Sequence, residues 1–159
     1  MNKVIQKLWR YKEWITIFLF IIYCIFIIYY ALLCRKAGDE HKLELRLMWA
    51  YREMLTGHPE WKEDVGYNLK NILFFVPFGF LFPNITTSSP SFQKKRLLIV
   101  LIIGMLFSIL IEIMQYVFCL GLCELDDVIC NSLGALIGFR LYSLIKNLVN
   151  YTGLINKGV

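Results

Sequence analysis

Residues Trp14 to Leu33 read WITIFLFIIYCIFIIYYALL, twenty consecutive residues without a charged side chain. At about 1.5 Å per residue, a helix of that length matches the roughly 30 Å hydrocarbon core of a bilayer. A second run, Leu97 to Ile111, holds fifteen residues before its first charge at Glu112. The whole chain has 159 residues, one domain by length, of which 58% are hydrophobic and only 18% charged, with mean hydropathy +0.57. A water-soluble domain of this size has too little interior for so much apolar surface. The expected fold class is therefore all-α: a polytopic membrane protein with helices at about 14–33, 69–85, 97–120 and 127–146.

The same numbers exclude other classes. The net charge of +5 comes from dispersed basic residues with no recognition motif beside them, so no nucleic acid partner is expected. The first apolar run is about twice the length of a signal-peptide core and no small-x-small site follows it, so it reads as a retained helix. Five cysteines, at 24, 34, 119, 123 and 130, form no CxxC pair. Cys119 and Cys123 lie four apart and could share a helix face, but no histidine is near them in sequence, and neither a metal nor a cofactor is expected.

Between the first and second segments runs one long loop, 34–70, with seven basic and seven acidic residues. Within it Leu43, Leu47, Ala50 and Met54 recur at helical spacing, which predicts an interfacial amphipathic helix. The N-terminal stretch 1–13 carries Lys3, Lys7, Arg10 and Lys12, the second loop Lys94, Lys95 and Arg96, and the C-terminal part Arg140, Lys146 and Lys157. The last loop has only Glu124, Asp126 and Asp127. The positive-inside rule then places both termini, including tails 1–13 and 147–159, in the cytoplasm, and the long loop and acidic turn outside. Ile72 to Phe82 offers just eleven apolar residues, interrupted by Pro77 and Gly79. By length alone this suits a re-entrant hairpin; extended back through Asn68 and Asn71 it becomes a spanning, kinked helix, which we expect.

In that arrangement polar residues of three helices converge on one leaflet. Asn68 and Asn71 open the second helix, Glu112 and Gln115 share a face near the end of the third, and Glu124, Asp127 and Asn131 share a face at the start of the fourth. An acidic side chain deep in a bilayer costs roughly 2.5 to 3.5 kcal/mol. Glu112 should therefore be neutral and hydrogen-bonded to Gln115, Asn131 or Asn71. The polar set reads either as glue between helices or as an outward-facing pocket. Gly134 and Gly138 continue the fourth helix's face as a small-xxx-small pattern suited to close packing, and Pro77 with Gly79 first predicts a kink.

Asn71-Ile72-Leu73-Phe74-Phe75-Val76-Pro77-Phe78-Gly79, then Glu112-Ile113-Met114-Gln115, then Asp126-Asp127-Val128-Ile129-Cys130-Asn131-Ser132-Leu133-Gly134 with Gly138 beyond resembles, over about residues 43 to 142, the VanZ family of small bacterial membrane proteins. The resemblance implies a four-helix membrane domain over 14–146, in the bacterial cell membrane, and an association with low-level resistance to the glycopeptide antibiotic teicoplanin. It carries the family's polar positions onto Asn71, Glu112, Gln115, Asp127 and Asn131, and its kink onto Pro77 and Gly79. Many members carry an arginine near the acidic turn. This chain has Gly121 there, so a salt bridge to Asp127 is not expected.

Three functions fit these features. One is a non-enzymatic envelope protein whose polar pocket binds a membrane lipid or a lipid-linked wall precursor. Another is an intramembrane enzyme using Glu112 and Asp127 as acid and base on such a precursor, although no Ser-His or Cys-His arrangement is apparent, since His41 and His58 both lie in the long loop. The third is an accessory subunit whose glycine face packs on a membrane partner or on a second copy. Four helices make little alternating-access machinery, which disfavours transport.

Overall fold

The computed structural model describes residues 3–59, 61–85 and 90–155. The ends of both expected tails, 1–2 and 156–159 with Lys157, lie outside the described residues, as do Glu60 and the serine-containing stretch 86–89. The elements are α1 (Lys3–Ile28), a π-helical turn (Tyr29–Leu33), β1 (Lys42–Glu44), α2 (Trp49–Thr56), α3 (Trp61–Ile85), α4 (Pro90–Val117), β2 (Leu122–Glu124) and α5 (Leu125–Ile155). Among the described residues four stretches are long and apolar enough to cross a membrane: Glu13–Leu33, Trp61–Ile85, Lys95–Val117 and Leu125–Tyr151. With no water in hydrocarbon, each such segment must satisfy its own backbone, and an uninterrupted helix does so.

The second segment is one continuous helix of 25 residues with Pro77 and Pro83 inside it, long enough to span. It begins well before the expected residue 69. Pro77 lacks the N–H that the Leu73 carbonyl would accept. One residue along, the Phe74 carbonyl takes the Tyr23 hydroxyl at 2.7 Å, fastening α1 to α3 beside the proline.

Cross-helix pairs fix the relative directions. Phe20 meets Phe78 and Phe82 while Tyr30 meets Phe74, so α1 and α3 run antiparallel. Ser108 meets Asn131 and Arg96 meets Tyr142, so α4 and α5 do as well. Gly134 faces the Ile72 carbonyl and Gly138 the Val76 carbonyl, which makes α3 and α5 parallel neighbours. Lipid is as apolar as leucine, so this bundle depends on close contact rather than on expulsion of water. The core is a small aromatic cluster of Phe75 and Phe78 with Ile27, Val100, Ile111 and Ala135, flanked by Phe20, Phe82 and Phe107. Only 6% of the first span is buried, against 22–28% of the others, so α1 is a peripheral helix.

Gly79, read from sequence as part of a kink, belongs to the seam. A Cβ there would strike the Ala135 carbonyl, as Cβ atoms at Gly134 and Gly138 would strike Ile72 and Val76. Pro77 itself is exposed on the outer face of α3.

The first loop departs from the expected single amphipathic helix. Leu43 lies in β1, which pairs in parallel with β2 through Lys42–Leu122, Leu43–Cys123 and Glu44–Glu124. The helix starts only at Trp49, after Met48 in a left-handed conformation (φ 54°). Its start is fixed from elsewhere: Asp126 accepts the N–H groups of Met48 (2.6 Å) and Trp49 (3.0 Å), a cap supplied across 78 residues of chain. Gly57, at φ 74°, closes α2 with its N–H on the Met54 carbonyl.

Candidate functional site

All five polar positions proposed from sequence lie toward the end of the bundle that carries the first loop, but they fall into separate arrangements. Asn131 (5% exposed) donates its amide to the Ser108 hydroxyl at 2.8 Å, a buried link between α5 and α4. Gln115 (2% exposed) reaches across to the turn that follows α1 and donates to the Ala31 carbonyl at 3.1 Å. That carbonyl sits in the π-helical turn, where a helix end leaves acceptors without backbone partners. Glu112 (4% exposed) accepts the Glu124 N–H at 3.0 Å, so α4 holds β2 in place. These three residues fasten helices and strand to one another.

Asn71 and Asp127 form the remaining arrangement. Both line a cavity of about 360 Å³ whose wall also includes Tyr30, Arg35, Lys70 and Glu124. The Asn71 amide approaches the Asp127 carboxylate, joining α3 to α5. The glycine seam holds α3 and α5 together nearby: a Cβ on Gly134, about two turns along α5 from Asp127, would strike the carbonyl of Ile72, the residue after Asn71. Glu124 is anchored by Trp49 Nε1 at 2.8 Å. Burial, and then the Asp127 charge beside it, pushes its carboxyl up to about 7, while the Trp49 bond acts the other way. Burial likewise pushes the neighbouring Cys123 thiol up to about 11, with Glu112 adding to the effect.

Sequence reading missed the cations. Arg35 follows the π-helical turn and stretches along the acidic turn, donating to the Leu120 carbonyl at 3.4 Å. Gly121 makes the room: it is at φ 135°, and a Cβ there would lie 2.8 Å from Arg35 Nη1. The positive charge expected to be missing beside Gly121 thus arrives from the end of α1, and it is within electrostatic reach of Glu112 and Asp127. Lys70 also lines the cavity, its Nζ 4.6 Å from the centre of the Tyr67 ring. The only available signal for Arg35 was that it is the first charge after a spanning run.

His41 also corrects the sequence reading. It does not stand alone in the loop but meets Cys119, with Sγ 3.3 Å from Nδ1, and the same Nδ1 lies 2.7 Å from the Tyr116 carbonyl. Cys119 and Cys123 part company, one against His41 and the other near Glu112. Among the described residues no three His, Cys, Asp or Glu side chains are grouped to hold a metal ion.

Comparison with known proteins supports the motif reading. A family model described as VanZ/LLP1 matches residues 15–146. A curated relative, Protein VanZ of Enterococcus faecium, is 33% identical over 82 residues, covering 52% of this chain and 47% of the relative. The chain therefore spans about half the length of that relative. No solved structure matches.

Proposed function

The chain belongs to the VanZ/LLP1 family, and from that premise we propose that it is an envelope membrane protein whose cavity between α1, α3 and the start of α5 binds a lipid or lipid-linked wall precursor, lowering susceptibility to teicoplanin-type glycopeptides. One observation carries this reading: Asn71 and Asp127, on different helices and both matching the family's motif, line one cavity that also has charged and aromatic walls. Its volume of about 360 Å³ lies within the roughly 300–1,000 Å³ of small-ligand sites. In the orientation we propose, both termini are cytoplasmic and the cavity opens to the outer leaflet, where wall precursors are displayed.

The test is expression in a glycopeptide-susceptible Gram-positive host, with teicoplanin susceptibility and membrane abundance measured together. Asp127→Ala and Asn71→Ala should lose protection at normal abundance, whereas Asn131→Ala, whose amide is spent on Ser108, should keep it. Loss of protection that follows abundance in all three variants would reduce the cluster to a structural role.

A further inference from the structure

The cavity brings together two cations and two carboxylates from separate parts of the chain: Arg35 after α1, Lys70 on α3, Glu124 in β2 and Asp127 on α5. None of them is in an ion pair with another, since the pairs within 4.0 Å among the described residues are Arg46–Glu44 and His58–Glu53. Four charged groups held near one another without pairing make a site that is complementary to a ligand bearing both signs of polarity. A bare anion would face Glu124 and Asp127, and a bare cation would face Arg35 and Lys70.

The walls also grade from polar to apolar. Arg35 lies just beyond the first span, while Tyr30 and Phe74 lie inside the first and second spans with ring centroids 4.7 Å apart. Tyr30 is 41% exposed on a face that lipid would cover. A ligand seated between the cations therefore continues along an aromatic wall into hydrocarbon, which favours an amphiphile over a soluble ion. At about 30 Å³ per water the cavity holds on the order of a dozen waters. That is room for a headgroup and not for a whole lipid.

Resting on the lipid-binding reading above, we propose that this cavity receives the headgroup of a phosphate-bearing membrane lipid that also carries an N–H or O–H donor. The phosphate lies between Arg35 and Lys70, where the guanidinium fork suits two phosphate oxygens. The donor reaches Glu124 and Asp127, with the alkyl chain along Tyr30 and Phe74. The arrangement ranks simple headgroups: ethanolamine, which adds an ammonium donor, binds best, glycerol with its hydroxyls next, and choline, which has no donor, least.

The full chain would be reconstituted in phosphatidylcholine vesicles, alone or mixed in equal parts with phosphatidylethanolamine or phosphatidylglycerol. Lipid retained after mild detergent extraction is then counted by mass spectrometry. We expect ethanolamine lipid to be enriched over choline lipid about tenfold or more, the scale of one charge-assisted hydrogen bond. Arg35→Gln and Lys70→Gln should each lower retention about tenfold with Arg35→Lys recovering part of it, and Glu124→Gln should reduce the preference for ethanolamine over choline. If a variant fails to fold, the wild-type ranking still decides. Equal retention of choline and ethanolamine lipid overturns the headgroup assignment and leaves lipid binding standing. Retention of no lipid in any vesicle overturns both. Melting temperatures are read in the same vesicles: a rise on adding inorganic phosphate to pure phosphatidylcholine vesicles equal to the rise given by phosphatidylethanolamine in the mixed vesicles would identify a soluble anion as the ligand and overturn the lipid assignment.

Discussion

Gly138→Ala adds one methyl group to α5, and the structure leaves no place for it. The new Cβ would strike the Val76 carbonyl oxygen and come within 2.8 Å of the Phe80 nitrogen, both backbone atoms of α3 that no rotamer change can move aside. Restoring ordinary contact requires the two helices to part by on the order of 1 Å, and a gap of that size forfeits a quarter to a half of each dispersion contact across it. The seam is shared by Gly79, Gly134, Ala135 and the buried Phe75 and Phe78, so the loss extends beyond one pair. Overpacking of a tight core typically costs about 1 to 3 kcal/mol, and with backbone on both sides the upper part of that range is expected. Gly66→Ala is the internal control. It makes the same chemical change within α3, but nothing lies within 4 Å of its Cβ, so the gain in helix propensity should stabilise by about 0.4 to 1 kcal/mol. Thermal unfolding of the purified proteins in one detergent would compare them. A Gly138→Ala protein that melts with the wild type, or a Gly66→Ala protein that loses as much as Gly138→Ala, would refute the parallel α3–α5 seam.

Asp126→Ala removes the acceptor for two N–H groups at the start of α2 and should cost about 1 to 2 kcal/mol, read as a lower melting temperature and faster proteolysis between residues 48 and 57. Asn131→Ala and Ser108→Ala break a single intramembrane hydrogen bond, so each should cost only about 0.6 kcal/mol, and the double variant little more than either alone. Burial pushes the Glu124 carboxyl up to about 7, and it is faced by Trp49 from α2, Asp64 from α3, Glu112 from α4, and Asp126 and Asp127 from α5. Because its folded value is raised, the native state binds more protons than the unfolded chain between the ordinary carboxyl range and pH 7. Stability should therefore increase as pH falls through 7 toward about 4.5, and Glu124→Gln should make that slope shallower. Exposed Cys34 should react with an impermeant thiol reagent in intact cells whereas a cysteine replacing Lys95 should not; the opposite pattern would invert the proposed orientation.

Run length and the energetics of the bilayer determine the first level of this protein from sequence. Twenty uncharged residues at 14–33 must be a helix if they cross hydrocarbon, and the same argument holds for the third and fourth segments. Helical spacing also identified which polar residues share a face, as for Glu112 with Gln115 and Asp127 with Asn131. Spacing cannot say which neighbouring helix that face meets, because rotation and pairing are set by backbone contacts between distant segments. Only the tertiary structure gave Gln115 to Ala31, 84 residues away, gave Asn131 to Ser108, and left Asn71 with Asp127 at a cavity. The three-residue strands β1 and β2 and the start of α2 were illegible for the same reason: each depends on a partner distant in the chain, the first loop and the acidic turn supplying one another, and none has a local period to reveal it. Arg35 is the clearest case. Its charge is written in the sequence, yet its place beside the acidic turn follows from the packing of α1 against that end of the bundle, where the guanidinium reaches the Leu120 carbonyl and lies over the bare Gly121.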